Sequence, residues 1–191
     1  MKTLVFVVVL SVQAITGIDA KAAAAKPDST GPDHSLFTQV LRDHVRNGAV
    51  DYKAIKEDER FAKYIELLKH TDADAIVAKD RLAFWVNAYN AFTIKRVIDL
   101  YPITSIMSKL KYALNLSNFQ IEFIDIKGRK YSLNDIEHNI IRPFGDARIH
   151  FALVCAARSC PSLRPEAYET TKLDEQLEEQ GRLFLRDTSK N

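Results

Sequence analysis

Residues 80–101 read DRLAFWVNAYNAFTIKRVIDLY, and this stretch decides the fold. No charged side chain occurs between Leu82 and Ile94, on any face of the helix that the pattern predicts. Asp80 can cap this helix, and Pro102 can stop it. A long helix without a polar face must be surrounded by other elements, so it is predicted to lie at the centre of the domain.

Two amide side chains interrupt this apolar helix. Asn87 and Asn90 are three residues apart and are therefore neighbours on one face. A buried amide must be hydrogen-bonded or must line a wet cleft. The two residues are predicted either to fix a neighbouring loop or to orient a catalytic side chain.

Amphipathic helices flank the central one. Apolar residues recur with the 3.6-residue period of a helix in 34–47 and again in 57–70. Val50–Tyr52 is predicted to link these two helices in an extended conformation. Residues 172–186 show the same helical period near the C-terminus.

Shorter elements follow the central helix. Phe119–Ile126 and Lys130–Leu133 flank a Lys-Gly-Arg turn and predict a β-hairpin. Ser132 and Asp135 form a capping-box pattern, which predicts a short helix through Arg142.

The apolar run Ile149–Val154 predicts a buried strand, which opens into a turn that carries both cysteines. Reactive groups often follow a buried strand in mixed folds. Taken together, the elements predict an α+β fold. In this fold, N-terminal helices and one long buried central helix pack on a small, mainly antiparallel sheet.

Three alternatives account for Cys155 and Cys160, the two cysteines of the chain. The first is a disulfide. An extended chain would separate their Cα atoms by about 17 Å, beyond the roughly 7 Å that a bridge allows, so 156–159 would have to turn back. The second is a zinc site with His138 or His150, although a second clear ligand pair is missing. The third is a thiol nucleophile, which needs a base and a group that orients the base.

Strand geometry favours one base for the third alternative. Side chains alternate along a strand, so His150 and Cys155 are predicted to face opposite ways. His138 is therefore the predicted base for Cys155. The groups predicted to orient it are Glu137, Asn87 and Asn90. His150 could still reach Cys160 beyond the turn.

Composition and the N-terminal residues indicate a compartment. The chain has 191 residues, a net charge of +2 and no basic block, which argues against a nucleic-acid partner. Residues 1–20 combine Lys2, the apolar run Leu4–Leu10 and small residues, a pattern typical of a signal peptide rather than an uncleaved anchor. Residues 21–33 are predicted to be a flexible leader and 34–191 a single domain. The chain is therefore predicted to be exported, to a periplasmic or extracellular location, and free of the membrane after cleavage.

Three motifs stand in order along the chain: FWVNAYNA at 84–91, SLNDIEH at 132–138, and HFALVC at 150–155 followed by SCP at 159–161. They resemble the motifs of the DUF547 family, a domain of unknown function. The resemblance spans about 34–191 and implies no established reaction. Exported bacterial members of the family are common, which agrees with the predicted signal peptide.

The resemblance also bears on the site. Plant members of the family keep counterparts of Glu137, His138 and Cys155 but lack those of His150 and Cys160. The resemblance therefore favours the first three residues as the site and makes a disulfide optional. Family members usually continue beyond the last helix, so a C-terminally truncated domain is one expectation.

These observations lead to two hypotheses and a rival. The first is a thiol-dependent hydrolase or acyltransferase of the cell envelope that acts on an unknown small molecule or peptide, with no cofactor predicted. The alternative is a non-catalytic secreted binding domain with structural cysteines. A zinc site that uses both cysteines and a histidine is the rival to both.

Overall fold

A computed structural model describes residues 31–101, 119–157 and 159–190. The predicted signal peptide and most of the predicted leader lie outside the described residues. The helices are α1 (Ser35–His44), α2 (Tyr52–Glu57), α3 (Glu59–His70), α4 (Ala78–Leu100), α5 (Leu133–Asp135), α6 (Ile149–Ala152) and α7 (Leu173–Arg186). A π-helix (Ile136–Ile141) and a 3₁₀ turn (Arg142–Phe144) follow α5. The strands are β1 (Val45–Arg46), β2 (Ala49–Val50), β3 (Ile124–Ile126) and β4 (Arg129–Tyr131), paired as two separate antiparallel hairpins.

The α+β fold with a long central helix is confirmed. Every residue of α4 from Leu82 to Ile94 is buried, because the surrounding helices and the π-helix cover all of its faces. The predicted cap is wrong. Val77 precedes the helix, whereas Asp80 lies buried in its first turn and accepts a hydrogen bond from the Gly31 N–H at 3.4 Å. None of the described helices is long and apolar enough to cross a membrane.

The first predicted helix, 34–47, ends earlier than its pattern indicated. The chain leaves α1 at His44 and forms the β1–β2 hairpin around Asn47 and Gly48, which have φ values of 52° and 77°. Asn-Gly favours tight hairpin turns, because both residues tolerate the left-handed conformation. The predicted extended link is also wrong in part, since α2 begins at Tyr52.

The second hairpin and the capping box are confirmed. β3 pairs with β4 in the register Ile124–Tyr131, although the strand is shorter than predicted. The Ser132 and Asp135 side chains each accept a hydrogen bond from the other residue's backbone N–H. The helix that follows then widens into the π-helix, where the buried residues Ile136 and Ile141 are five apart rather than three or four.

The predicted strand Ile149–Val154 is wrong, because its first four residues form α6. The Asp146 carboxylate accepts a hydrogen bond from the Arg148 N–H at 2.9 Å, and this local turn starts the helix. Ile149 and Ala152 then face the core, three residues apart. A short apolar run is compatible with either element, so tertiary packing decides between them. The final helix, α7, agrees with the predicted range.

Candidate functional site

The two cysteines are joined to each other. Cys155 and Cys160 form a disulfide with a Cα–Cα distance of 6.1 Å. The chain folds back between them, with Ala156 at a φ of 58° and a hydrogen bond of 3.1 Å from the Cys160 N–H to the Ala157 carbonyl. Both cysteines are half-buried. Of the three predicted alternatives, the disulfide is the one present, and in this form neither sulfur is a free nucleophile.

The chain is held in place on both sides of the disulfide. On one side, the Asn90 amide donates to the Ala152 carbonyl at 2.9 Å and accepts from the Val154 N–H at 3.0 Å. On the other side, the Lys190 ammonium donates to the Cys160 carbonyl and to the Ser162 hydroxyl, each at 2.8 Å. The bridge therefore closes a short loop between two segments that are already anchored.

Asn87 has the same role one turn earlier on α4. Its amide donates to the Tyr168 carbonyl and accepts from the Tyr168 N–H, both at 2.8 Å. Asn87 and Asn90 are both almost fully buried. Each is held at both ends of its amide by the backbone of a neighbouring segment, which agrees with the prediction that these residues fix loops.

Glu137 lies at the centre of a polar cluster on the π-helix. Its carboxylate accepts a hydrogen bond from Arg142 at 3.1 Å and from the Tyr89 hydroxyl at 3.5 Å. His138 Nδ1 lies 3.8 Å from Glu137 Oε1, which is too far for a hydrogen bond. Burial, and then the Glu137 charge, raise the pKa of Tyr89 well above its ordinary value, so its hydroxyl acts as a donor.

Of the predicted catalytic residues Glu137, His138 and Cys155, the described part of the chain shows an ion-pair contact between the first two but none that links either of them to Cys155. Glu137 and His138 lie side by side. On α4, Tyr89 contacts Glu137 and the next residue, Asn90, contacts the segment before Cys155. Within the described residues, no hydrogen bond or ion pair links Cys155 to Glu137 or to His138. Their catalytic roles stay predictions.

The structure also bears on His150 and on the predicted metal site. His150 lies exposed on α6, not on a strand, so the alternation argument that separated it from Cys155 does not apply. The described part of the chain contains no group of three or more histidine, cysteine, aspartate or glutamate side chains that could hold a metal ion.

Sequence reasoning missed a second polar site, which we call the Trp85 cleft. This cleft of about 250 Å³ lies between the start of α4, β4 and the residues that follow α5. Its walls include Asp74, Arg81, Trp85, Tyr131, Asn139 and Phe144. The π-helix supplies Asn139, and the 3₁₀ turn supplies Phe144. The available signal was Trp85 itself, an indole with a polar N–H on a helix that is otherwise buried.

A comparison with known protein families shows to which family the chain belongs. A family model described as a protein of unknown function, DUF547, matches residues 74–185, which is more than half of the chain. The chain belongs to the DUF547 family. No curated protein and no solved structure matches it. The matched segment of the DUF547 domain contains the disulfide, the Glu137 cluster and the Trp85 cleft, and the family description assigns no activity to any of them.

Proposed function

We propose that this DUF547 domain is a non-catalytic binding domain of an exported protein, and that its two cysteines are structural. The observation that carries this proposal is the Cys155–Cys160 disulfide, which occupies the only two sulfhydryl groups of the chain. A disulfide of this kind persists in oxidising compartments, which supports the exported location.

The neighbouring side chains support the same proposal. Asn87 and Asn90, which could have oriented a catalytic base, use both ends of their amides on backbone groups. An amide that is held at both its oxygen and its nitrogen cannot rotate toward a histidine ring without giving up a buried hydrogen bond. The cysteine segment is thus built as a fixed part of the scaffold.

The test compares wild type with the double variant Cys155→Ser/Cys160→Ser. A binding domain with structural cysteines keeps its ligand affinity in this variant and loses only stability, by about 2 kcal/mol for a loop of this length. Urea denaturation measures the stability, and titration with the ligand proposed below measures the affinity. Loss of a hydrolytic activity in the double variant, with stability unchanged, would contradict the proposal.

A second candidate is a thiol-dependent hydrolase or acyltransferase that requires reduction of the disulfide. The observation that favours it is the 3.8 Å separation of the Glu137 carboxylate and the His138 ring, the predicted orienting group and base. A dithiol reductant would supply the two electrons that open the bridge. Cys155 would then pass its proton to His138 and attack a carbonyl carbon. The leaving group would take that proton, and water would release the acyl group.

An acyl-directed thiol probe separates the two candidates. The probe is applied to reduced wild type, to Cys155→Ser and to Cys160→Ser. The hydrolase candidate predicts labelling that depends on Cys155 and falls at least about tenfold in His138→Gln. Equal labelling of both cysteines, unaffected by His138→Gln, is the result expected for a binding domain.

A further inference from the structure

Two residues that line the Trp85 cleft carry polar groups without a protein partner. Trp85 is 5% exposed and Tyr131 is 9% exposed, yet neither the indole N–H nor the phenol hydroxyl makes a hydrogen bond within the described residues. Buried tryptophan and tyrosine side chains usually satisfy these groups.

These two polar atoms remain in contact with solvent. In the described part of the chain, the fully buried side-chain atoms that lack a partner belong to Arg164 and Tyr168, not to Trp85 or Tyr131. Both aromatic residues line the cleft. Their rings meet edge to face, with centroids 5.4 Å apart, so the two polar groups are held in a fixed arrangement. The cleft thus presents two oriented groups that a ligand can engage without displacing a protein contact.

The side chains that line the cleft include two arginines, Arg81 and Arg129, and one aspartate, Asp74. Arg129 pairs with the Asp74 carboxylate at 2.7 Å. Arg81 instead donates to the backbone carbonyls of Ile76, at 2.8 Å, and Asp74, at 3.0 Å. Its guanidinium is fixed in position but has no carboxylate partner among the described residues. The cleft therefore suits a ligand that carries an anionic group.

The cleft also has apolar lining residues, of which Phe144 is the most exposed. Phe144 is 40% exposed, the most solvent-accessible phenylalanine among the large exposed hydrophobic residues of the described chain. An exposed ring beside several donors and acceptors can cover the C–H face of a hydroxylated ring. The volume of about 250 Å³ is below the roughly 300–1,000 Å³ of sites for drug-sized ligands, which indicates a ligand of about one ring.

We propose that the Trp85 cleft binds a single acidic sugar residue, either free or at the end of a glycan. This inference rests on the proposed function, because it names a ligand class for the binding domain. Arg81 binds the carboxylate of the sugar, Trp85 and Tyr131 hydrogen-bond to its hydroxyl groups, and Phe144 packs on its C–H face. The π-helix has a defined part in this site, since it places Asn139 in the lining of the cleft and continues directly into the turn that bears Phe144.

Intrinsic fluorescence reports on this site directly, because Trp85 is the only tryptophan of the chain. The full chain is titrated with glucuronic acid, with glucose and with acetate. We expect a saturable change with glucuronic acid at a Kd of about 1 mM, the range for so small a ligand. Glucose should bind roughly tenfold more weakly, and acetate should give no saturation. Equal saturation by acetate would show a simple anion site and overturn the sugar proposal, as would the absence of any saturable change with glucuronic acid.

Two variants test the contacts. Tyr131→Phe removes only the unpartnered hydroxyl, so the fold should be unaffected while the affinity for glucuronic acid falls about two- to tenfold. Phe144→Ala should weaken binding roughly fivefold through the lost aromatic face. Leu185→Ala, at a residue that is 69% exposed on α7, is the matched control and should bind as wild type does. Wild-type affinity in both cleft variants would overturn the inference.

The outcomes also separate this inference from the proposed function. If glucuronic acid does not bind and the acyl-directed probe labels both cysteines equally, only the ligand class is wrong. If labelling of the reduced protein depends on Cys155 and His138, the proposal of a non-catalytic domain is wrong, whatever the sugar titration gives.

Discussion

Asn90 holds the segment before the disulfide with both ends of its amide. It contacts two backbone groups, on Ala152 and Val154, that have no strand partner to satisfy them. Asn87 holds Tyr168 in the same way. A single buried amide can replace the ladder of a sheet for one or two residues, because it presents a donor and an acceptor side by side.

Replacing this amide should destabilise the domain rather than alter any chemistry. Asn90→Ala leaves a buried carbonyl and a partly buried N–H without partners, so we expect the free energy of unfolding to fall by about 3 kcal/mol. Asn87→Ala should behave similarly. Urea denaturation followed by circular dichroism measures the change.

Asn139→Ala is the control for these substitutions. Asn139 is exposed on the π-helix, and its hydrogen bond to Asp135 is 3.2 Å long, so the variant should lose less than about 0.5 kcal/mol. If Asn90→Ala were as stable as Asn139→Ala, the anchoring role of Asn90 would be wrong.

His34 is predicted to make the stability of the domain depend on pH. Burial lowers the pKa of His34 from 6.5 to about 4, and its Nδ1 lies 2.7 Å from the Tyr64 hydroxyl. Between these pKa values the unfolded chain binds a proton that the folded chain does not, so stability falls as the pH is lowered from about 6.5 to about 4. The loss reaches at most roughly 3 kcal/mol.

His34→Gln keeps a hydrogen-bonding side chain but cannot titrate. The free energy of unfolding of the variant, measured in urea from pH 7 to pH 4, should lose this part of its pH dependence. The carboxylates with lowered pKa, such as that of Asp146, titrate below this window and should behave alike in both proteins. Identical pH profiles would exclude His34 as the source.

The two hairpins differ in what their turn glycines face. Gly48 has a φ of +77°, and a Cβ added there would lie 2.5 Å from the Ser162 hydroxyl and 2.6 Å from its Cβ. Gly128 has the same φ but has no atom within 4 Å of an added Cβ. The β1–β2 turn is therefore packed against the chain that follows the disulfide, whereas the β3–β4 turn faces solvent.

These glycines form a matched pair for substitution. Gly128→Ala should cost about 1 kcal/mol, from backbone conformation alone. Gly48→Ala adds overpacking against Ser162 and should cost about 2–4 kcal/mol. Thermal and urea unfolding measure both. Equal losses would show that the Ser162 contact does not constrain the turn.

Elements with a long repeating pattern or a specific local signal were predictable from the sequence. The uncharged run of α4, the capping box before α5 and the period of α7 each fix one structure. The six-residue run Ile149–Val154 did not, since the Asp146 turn and the packing of Ile149 on the core selected a helix. The Asn47-Gly48 turn had a local signal, but the apolar period that runs as far as Val45 pointed to a helix that would end only at Asn47.

For the molecule as a whole, we expect the disulfide to add stability to a fold whose neighbouring segments are already held by other contacts. Its short loop lies between the Asn90 and Lys190 contacts. In Cys155→Ser/Cys160→Ser, we therefore expect faster hydrogen exchange only around 155–160, and native protection in α4 and α7. Hydrogen exchange followed by mass spectrometry measures this. Loss of protection throughout the domain would show instead that the bridge is required for folding.

The candidate site could be predicted only in part, because it depends on contacts between distant segments. The cysteine and Glu137 motifs were visible in the sequence, yet whether the cysteines pair depends on a turn that the spacing alone does not fix. The Trp85 cleft has no motif. It exists because β4 and the π-helix both pack beside the start of α4, and it is defined by unpartnered polar groups that only the structure reveals.

Alkylation of the protein, purified without a reductant and then denatured, tests the central claim most directly. If the cysteines are structural, the intact mass should not change with iodoacetamide, and two carbamidomethyl groups should appear only after reduction. Two groups before reduction would mean that Cys155 and Cys160 are free thiols, and the account of a disulfide-closed binding domain would be contradicted.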